Sequence, residues 1–551
     1  MGAKRALPSE HAMTPDSLHY GNSLDKNRTS EDLVPPKERL EHSDASATAT
    51  TSDCPTTSTK TVYTAPVAPI AAFASEVLCL IFAVACAKDD LTHENLATAL
   101  SLSRVCRLWR DIMLDTANRG CWSSFILTDE HCPWAKDETW IPRVSNVLSI
   151  YLARSQDHPL DITASASYES GAFWHPERGW EDKFEIFRKQ FLPHAARWRT
   201  LVTVNFALGA FKVVKTPMLQ DLDVVLTEEL VPSQNLTALF PIIKQSPALE
   251  SLTLRNFSYG DFFFPPRQTA EGLPQGLRTF TTHDFMVSES LECAVAVAAL
   301  RTLTILDPQT DGDDEPEKRY IHPTLVHLSV RVDQRRRKDS RDRRMAIVHP
   351  LQQLTAPSLE SFTVRLHRVD IGEAKALREM CAIQWSSQAC LEFMSHSPQL
   401  TRLVLNFGGV TLESDLVASE VIELLKTLPA LEEFEFGEPK GFEIVGEIVN
   451  WLTRFEAMGK PRTEEKFGRA ACGRGDKLRS MTLEGGLDVP DDELVTMVGS
   501  RMVHSGIVAE AAREEVDLEV VEFTLWGRVL GGEARGRLVA LRGPGHRINA
   551  E

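Results

Sequence analysis

The ten cysteines, spread from Cys54 to Cys472, include no CxxC pair. They form neither a dense disulfide framework nor a metal-spaced Cys/His cluster, so no metal or cofactor is expected. Cys79, Cys86 and Cys106 fall inside apolar patterns, where a free thiol packs as a small hydrophobe. This usage fits a reducing compartment, the cytoplasm, the nucleus or both. An excess of positive charge is also missing: the formal net charge is −17, which argues against nucleic-acid binding through whole-body electrostatics. Absent too are GxSxG, HExxH, a Walker A loop and a GxGxxG after a strand. His396 and His504 lie in helix- or loop-surface patterns. No catalytic residue is therefore expected. MGAKRALPSEHAM is followed by no apolar stretch, so no secretory signal is visible, and Ala6 breaks the myristoylation pattern. The NxS/T triplets at Asn27, Asn235 and Asn256 then read as chance matches.

What the chain does have begins with a polar segment, residues 1–64, ending in DASATATTSDCPTTSTKT. So few large apolar side chains cannot offset the entropy of ordering, and a disordered tail is expected. Next comes an apolar run from Ile70 to Ala87. Pro69, Ser75 and Glu76 mark a helix start and KDD closes the run. A helix from Ser75 to Ala87 spans ~20 Å, short of the ~30 Å hydrocarbon core, so it is no membrane span. Trp134, Trp140, Trp174, Trp180 and Trp198 fall in residues 129–200, just after Trp122. Side chains that large predict a folded segment, packed on the region C-terminal to it. Within it, SNVLSIYLARSQDHPLDI (145–162) reads as an amphipathic helix, a Pro stop and a short strand.

From about residue 201 to 530 one pattern recurs, Leu-x-x-apolar-x-apolar, often with Pro two residues earlier: SPALESLTL, HPTLVHLSV, APSLESFTV, SPQLTRLVL, LPALEEFEF. The leading residues Leu219, Leu249, Leu277, Leu300, Leu325, Leu359, Leu400, Leu431, Leu478 and Leu518 are 23 to 47 apart. Alternation within each copy predicts a half-buried strand, and stretches such as DLVASEVIELLKTLP carry helical periodicity. A strand-plus-helix unit repeated about ten times is the signature of a solenoid. The pattern resembles an irregular leucine-rich repeat array, with wider spacing and with the Asn after the third apolar position missing or displaced. Two inserts interrupt it, acidic DPQTDGDDEPEKR (307–319) and basic RVDQRRRKDSRDRR (331–344). The basic run reads as a solvated loop facing its acidic neighbour, or else as a nuclear import signal or nucleic-acid patch. Residues 531–551 read as a C-terminal tail.

FASEVLCLIF and the later LSLSRVCRLWRDIMLDTANRGCWSSFIL resemble the F-box, a short helical module, over residues 65–128. Phe73, Glu76, Leu78, Ile81 and Phe82 fit its first block, and Leu102, Val105, Cys106, Arg107, Trp109 and Arg110 its second. Ala74 stands where that family usually has Pro, and two extra residues lie between Thr116 and Trp122. With IYLARS and HAARWRTL further along, the block order resembles mushroom-type fungal F-box proteins. The fold class expected is α/β, a helical F-box followed by an irregular leucine-rich-repeat-like solenoid. The resemblance implies a substrate receptor of an SCF-type cullin–RING ubiquitin ligase. A Skp-type adaptor, and through it a cullin, would bind Phe73, Val77, Leu78, Ile81, Phe82, Leu102, Val105, Cys106, Trp109 and Ile112. Polar strand residues of the repeats, Arg255, Arg365, Asn406 and Glu435, are the candidates for holding a target protein. The competing readings are a repeat scaffold with a vestigial F-box, and an enzyme with an unfamiliar active site.

Overall fold

In the computed structural model the chain divides into two units, Met1–Ala68 and Pro69–Glu551. The structure describes residues 73–91, 97–128, 140–165, 189–204, 214–225, 239, 242–255, 273–283, 285–308, 319–333, 345–346, 350–367, 383–408, 416–439, 443–457, 479–484, 490–492, 494–495, 498, 522–526, 532–540 and 547–550. The expected tail, Trp134, Trp174 and Trp180, Leu478 and Leu518, and most of both charged inserts lie outside them.

The fold is mixed α/β around one parallel sheet of fifteen strands, whose order in space is their order in the chain. The strands are β1 (Asp89–Asp90), β2 (Ser124–Thr128), β3 (Leu160–Ser165), β4 (Trp198–Val204), β5 (Asp221–Val225), β6 (Ser251–Arg255), β7 (Thr279–His283) and β8 (Thr302–Leu306). They continue with β9 (His327–Asp333), β10 (Ser361–His367), β11 (Arg402–Asn406), β12 (Glu433–Gly437), β13 (Ser480–Glu484), β14 (Glu522–Trp526) and β15 (Arg547–Ala550). Helices α1 (Ser75–Ala85), α2 (Thr98–Val105) and α3 (Arg107–Leu114) come first, then α4 (Trp140–Ser155) and α5 (Val287–Val295). Later ones are α6 (Ser387–Ser395), α7 (Ala418–Thr427), α8 (Ile444–Ala457) and α9 (Gly532–Ala540). Among the described residues no helix is long and apolar enough to cross a membrane.

Each recurring Leu sits just before a strand and is buried, from Leu219 through Leu431. The Pro two residues earlier takes the second position of a four-residue turn, where its fixed φ is already correct. In that turn the amide of the Leu donates to the carbonyl three residues back: Leu249 to Ser246 at 3.1 Å, Leu359 to Ala356 at 3.1 Å, Leu400 to Ser397 at 3.2 Å. The carbonyl just before each strand then accepts two amides from the next copy. Arg278 accepts from Arg301 and Thr302, both at 2.9 Å, and Glu360 from Thr401 and Arg402, both at 2.9 Å. Buried polar side chains three residues before the leading Leu tie neighbouring turns together. Thr216 and Ser246 share a 2.6 Å hydroxyl bond, and Ser397 donates to the Ala356 carbonyl at 3.2 Å. His322 Nε2 lies 3.1 and 3.2 Å from the carbonyls of Ala294 and Val297 at the end of α5. Burial lowers the pKa of His322, so the neutral ring is the donor there.

Period-two alternation then places two apolar rows on one face of the sheet. Leu222, Leu252, Phe280, Leu303, Leu328, Phe362, Leu403, Phe434 and Met481 align in register as the first row. Helices cover this face: Phe393 of α6 meets Phe362 edge to face at 5.0 Å. Burying each such side chain stabilises by roughly 1.5–3 kcal/mol relative to exposure.

Two boundaries drawn from the sequence move. The sheet does not start near residue 201, because β1 to β4 already belong to it. The helical segment and the Trp-containing segment therefore feed strands into the same sheet as the repeats. Residues 531–551 are not a plain tail either; they supply α9 and the end strand β15, which pairs with β14. Both errors have one cause, since pairing partners of short strands are distant in sequence and carry no local period.

Candidate functional site

α1 starts at Ser75, with the Ala74 carbonyl accepting from Val77 and Leu78, both at 3.1 Å. Its sequence SEVLCLIFAVA is apolar nearly all round, so it carries two stripes. Leu78 and Phe82, one turn apart, face the core and are 0% and 1% exposed. Val77, Leu80, Ile81 and Val84 form the other stripe and are exposed, Leu80 at 70% and Val84 at 78%.

The neighbouring helices are held by capping groups. Buried Asp89 accepts from the amides of Thr98 at 2.9 Å and Ala99 at 3.0 Å at the start of α2, and also from the Tyr151 hydroxyl of α4. Cys106 caps α3, its sulfur accepting from the Trp109 amide at 3.5 Å. Trp122 is buried and donates its indole N–H to the Met113 carbonyl at 2.8 Å. Trp109, half-buried, packs edge to face on Phe82 at 4.9 Å. Cys86 and Cys121 are buried beneath; the hydrogen bond with Cys121, together with burial, raises the Cys86 pKa far above the ordinary thiol value.

The adaptor candidates divide accordingly. Phe73, Val77, Ile81, Val105 and Cys106 are exposed, and Leu102 and Trp109 are half-buried. Leu78, Phe82 and Ile112 are core residues and offer no surface, which corrects their assignment as contacts. Sequence reasoning missed Leu80, Val84, Leu108 and Leu114, all exposed. The signal was there in α1: its i, i+3, i+4, i+7 stripe from Val77 to Val84 is as apolar as the one chosen. Of the twelve large hydrophobic side chains that stand exposed among the described residues, eight lie within residues 73–114. Such concentration is the mark of an interaction surface, whereas isolated exposed apolar residues are ordinary.

The second candidate surface is the other face of the sheet. Three of the four target candidates are brought together there. Arg365 of β10 reaches over β11 to Glu435 of β12 at 2.7 Å. Beneath that bridge lies Val404, which is only 1% exposed although it sits in an outward position. Asn406 of β11 donates its amide to Glu435 at 3.2 Å and to Glu484 of β13 at 3.0 Å. Its reach across β12 depends on Gly437, because a Cβ there would lie 2.4 Å from Asn406 Oδ1. Arg255 stands apart on β6, paired with Asp223 at 2.7 Å. Burial raises the Asp223 pKa despite the opposing pull of Arg255. All four candidates thus have a partner within the chain, although the buried Arg365 Nε makes no hydrogen bond.

Between those clusters, β6 to β10 present a pattern the sequence reading overlooked. Ser251, Thr279, Thr302, His327 and Ser361 form one in-register row, and Thr253, Thr281, Thr304, Ser329 and Thr363 the next. The signal was Ser or Thr recurring at the first and third strand positions of SLTL, TFTT, TLTI and SFTV. Among the described residues, no three His, Cys, Asp or Glu side chains are grouped to hold a metal ion. No family model matches the chain, and no curated protein matches it.

Proposed function

We propose that this chain is the substrate receptor of an SCF-type cullin–RING ubiquitin ligase. Helices α1 to α3 act as its F-box and dock on the Skp-type adaptor, and through it on a cullin. The strand-and-helix copies form an irregular leucine-rich-repeat-like solenoid that holds a target protein on the outward sheet face. The observation that carries this reading is the concentration of exposed Val77, Leu80, Ile81, Val84, Val105 and Leu108 on three short helices, with exposed Phe73 just before the first. Three short helices cannot bury two apolar stripes by themselves, so a partner covers the second. The chain itself is non-catalytic. It contributes effective concentration and orientation, turning a bimolecular encounter between target and charged conjugating enzyme into an intramolecular one.

Co-expression with the adaptor tests this. Leu80→Asp and Val84→Asp change exposed positions, so the thermal transition should hold while adaptor capture is lost. Capture that persists in both folded variants rules the footprint out. A parent chain that never captures adaptor, yet still holds a target, is the outcome for a scaffold with a vestigial F-box.

A further inference from the structure

We infer that the target is engaged on the uncharged hydroxyl lattice of β6 to β10, as an extended polypeptide segment poor in basic and aromatic residues and carrying one acidic side chain for Arg331. This rests on the receptor reading above and names the class of its target. The charged clusters on either side are committed elsewhere: Arg255 to Asp223, Arg365 to Glu435 and Arg402 to Glu433. The lattice between them is not. Thr253, Thr279, Thr281, Thr302, Thr304 and Thr363 are all half-exposed, and their hydroxyls make no hydrogen bond among the described residues.

The chemistry selects the occupant. A hydroxyl both donates and accepts, as does a peptide backbone, so the lattice can pair with main-chain N–H and C=O groups alike. Covering it with an apolar surface would strand those hydroxyls at a cost. Neither row contains Lys, Arg, Asp or Glu, which removes the charge a nucleic-acid backbone would need. Neither contains Phe, Tyr or Trp, and the exposed His327 is the single ring in the first row, which leaves no run of rings to form a stacking platform. Arg331 lies one step further along β9, between Leu306 and Arg365 in register. It is exposed, and the hydrogen bond of its side chain among the described residues is one of 3.3 Å to the Ser329 hydroxyl. That guanidinium is therefore available to a carboxylate of the partner. Five strands at ~4.8 Å spacing make the lattice ~19 Å wide, the reach of about six extended residues.

The test is selection from a random dodecapeptide display library on the full chain, with adaptor capture measured on the same preparation. The enriched peptides should be poor in Lys, Arg and aromatics and share one recurrent Asp or Glu. Thr281→Val with Thr304→Val keeps shape and strand preference while removing two hydroxyls, and should weaken the selected peptides at least tenfold. Arg331→Gln should abolish the acidic preference and leave the remaining consensus. The inference is overturned if selected peptides are basic or aromatic, if they bind the double variant as well as the parent, or if no peptide is enriched. It is equally overturned if an oligosaccharide displaces them from the lattice. Loss of adaptor capture with peptide binding intact would sink the receptor reading alone.

Discussion

Gly437 carries a consequence out of proportion to its size. Asn406 crosses it to join Glu435 and Glu484, and any side chain at 437 must displace that amide. Gly437→Ala should destabilise by about 1–2 kcal/mol, the net worth of hydrogen bonds to half-exposed charged partners. In an Asn406→Ala background the same change should cost almost nothing, and urea denaturation of the double-mutant cycle measures the difference. Equal costs in both backgrounds would show that Asn406 is not what Gly437 accommodates. A pH dependence arises from Asp223, whose pKa is raised chiefly by burial. With the folded value above the unfolded one of ~3.9, the folded state binds the proton more tightly between the two, so ionised Asp223 is unfavourable at neutral pH. An Asp223→Asn variant should therefore gain most relative to the parent at pH 7. That relative gain should shrink as pH falls towards 4, as followed by thermal melts across the range. Thiol reactivity separates likewise by burial, with Cys293 pushed up to about 12 and Cys106 exposed. Alkylation of the native chain should reach Cys106 and spare Cys293, and bound adaptor should protect Cys106.

At the scale of elements, α1 shows how one helix serves a core and a surface at once. Leu78→Ala or Phe82→Ala removes a fully buried side chain and should cost ~2–5 kcal/mol, read from chemical denaturation. Aspartate at Leu78 would unfold the helices and say nothing about the adaptor, because it buries an unpaired charge. The exposed stripe is the opposite case, where truncation should spare stability. Equal destabilisation by Leu78→Ala and Val84→Ala would contradict this division of faces.

Over the whole molecule, every strand of the sheet pairs only with its neighbours in the chain. Stability is then close to a sum of unit and interface contributions, and the end units matter because they shield an edge. Deleting residues 531–551 removes α9 and β15 and opens the hydrogen-bonding edge of β14. The thermal transition should drop by several degrees and aggregation should rise. Deleting residues 1–60 should leave the transition within error, since that segment has no apolar face to join a core. Calorimetry on the two truncations decides both.

The repeating units are written in the sequence. The Leu before each strand, the Pro in the turn, the alternating strand positions and the helices within 75–87, 145–162 and 418–427 were all legible, because each is a local preference for backbone angle or burial period. Tertiary structure decided what those units meet. It assigned Leu78 and Phe82 inward and Val84 outward, although both stripes of α1 look alike in sequence. It drew Arg365, Asn406 and Glu435 into one network across β10 to β13, and it left the hydroxyl lattice of β6 to β10 open. It joined residues 89–90 and 547–550 to a sheet whose sequence pattern runs only from 201 to 530. Period is written within a few residues, whereas pairing and the choice of buried face depend on groups tens to hundreds of residues away.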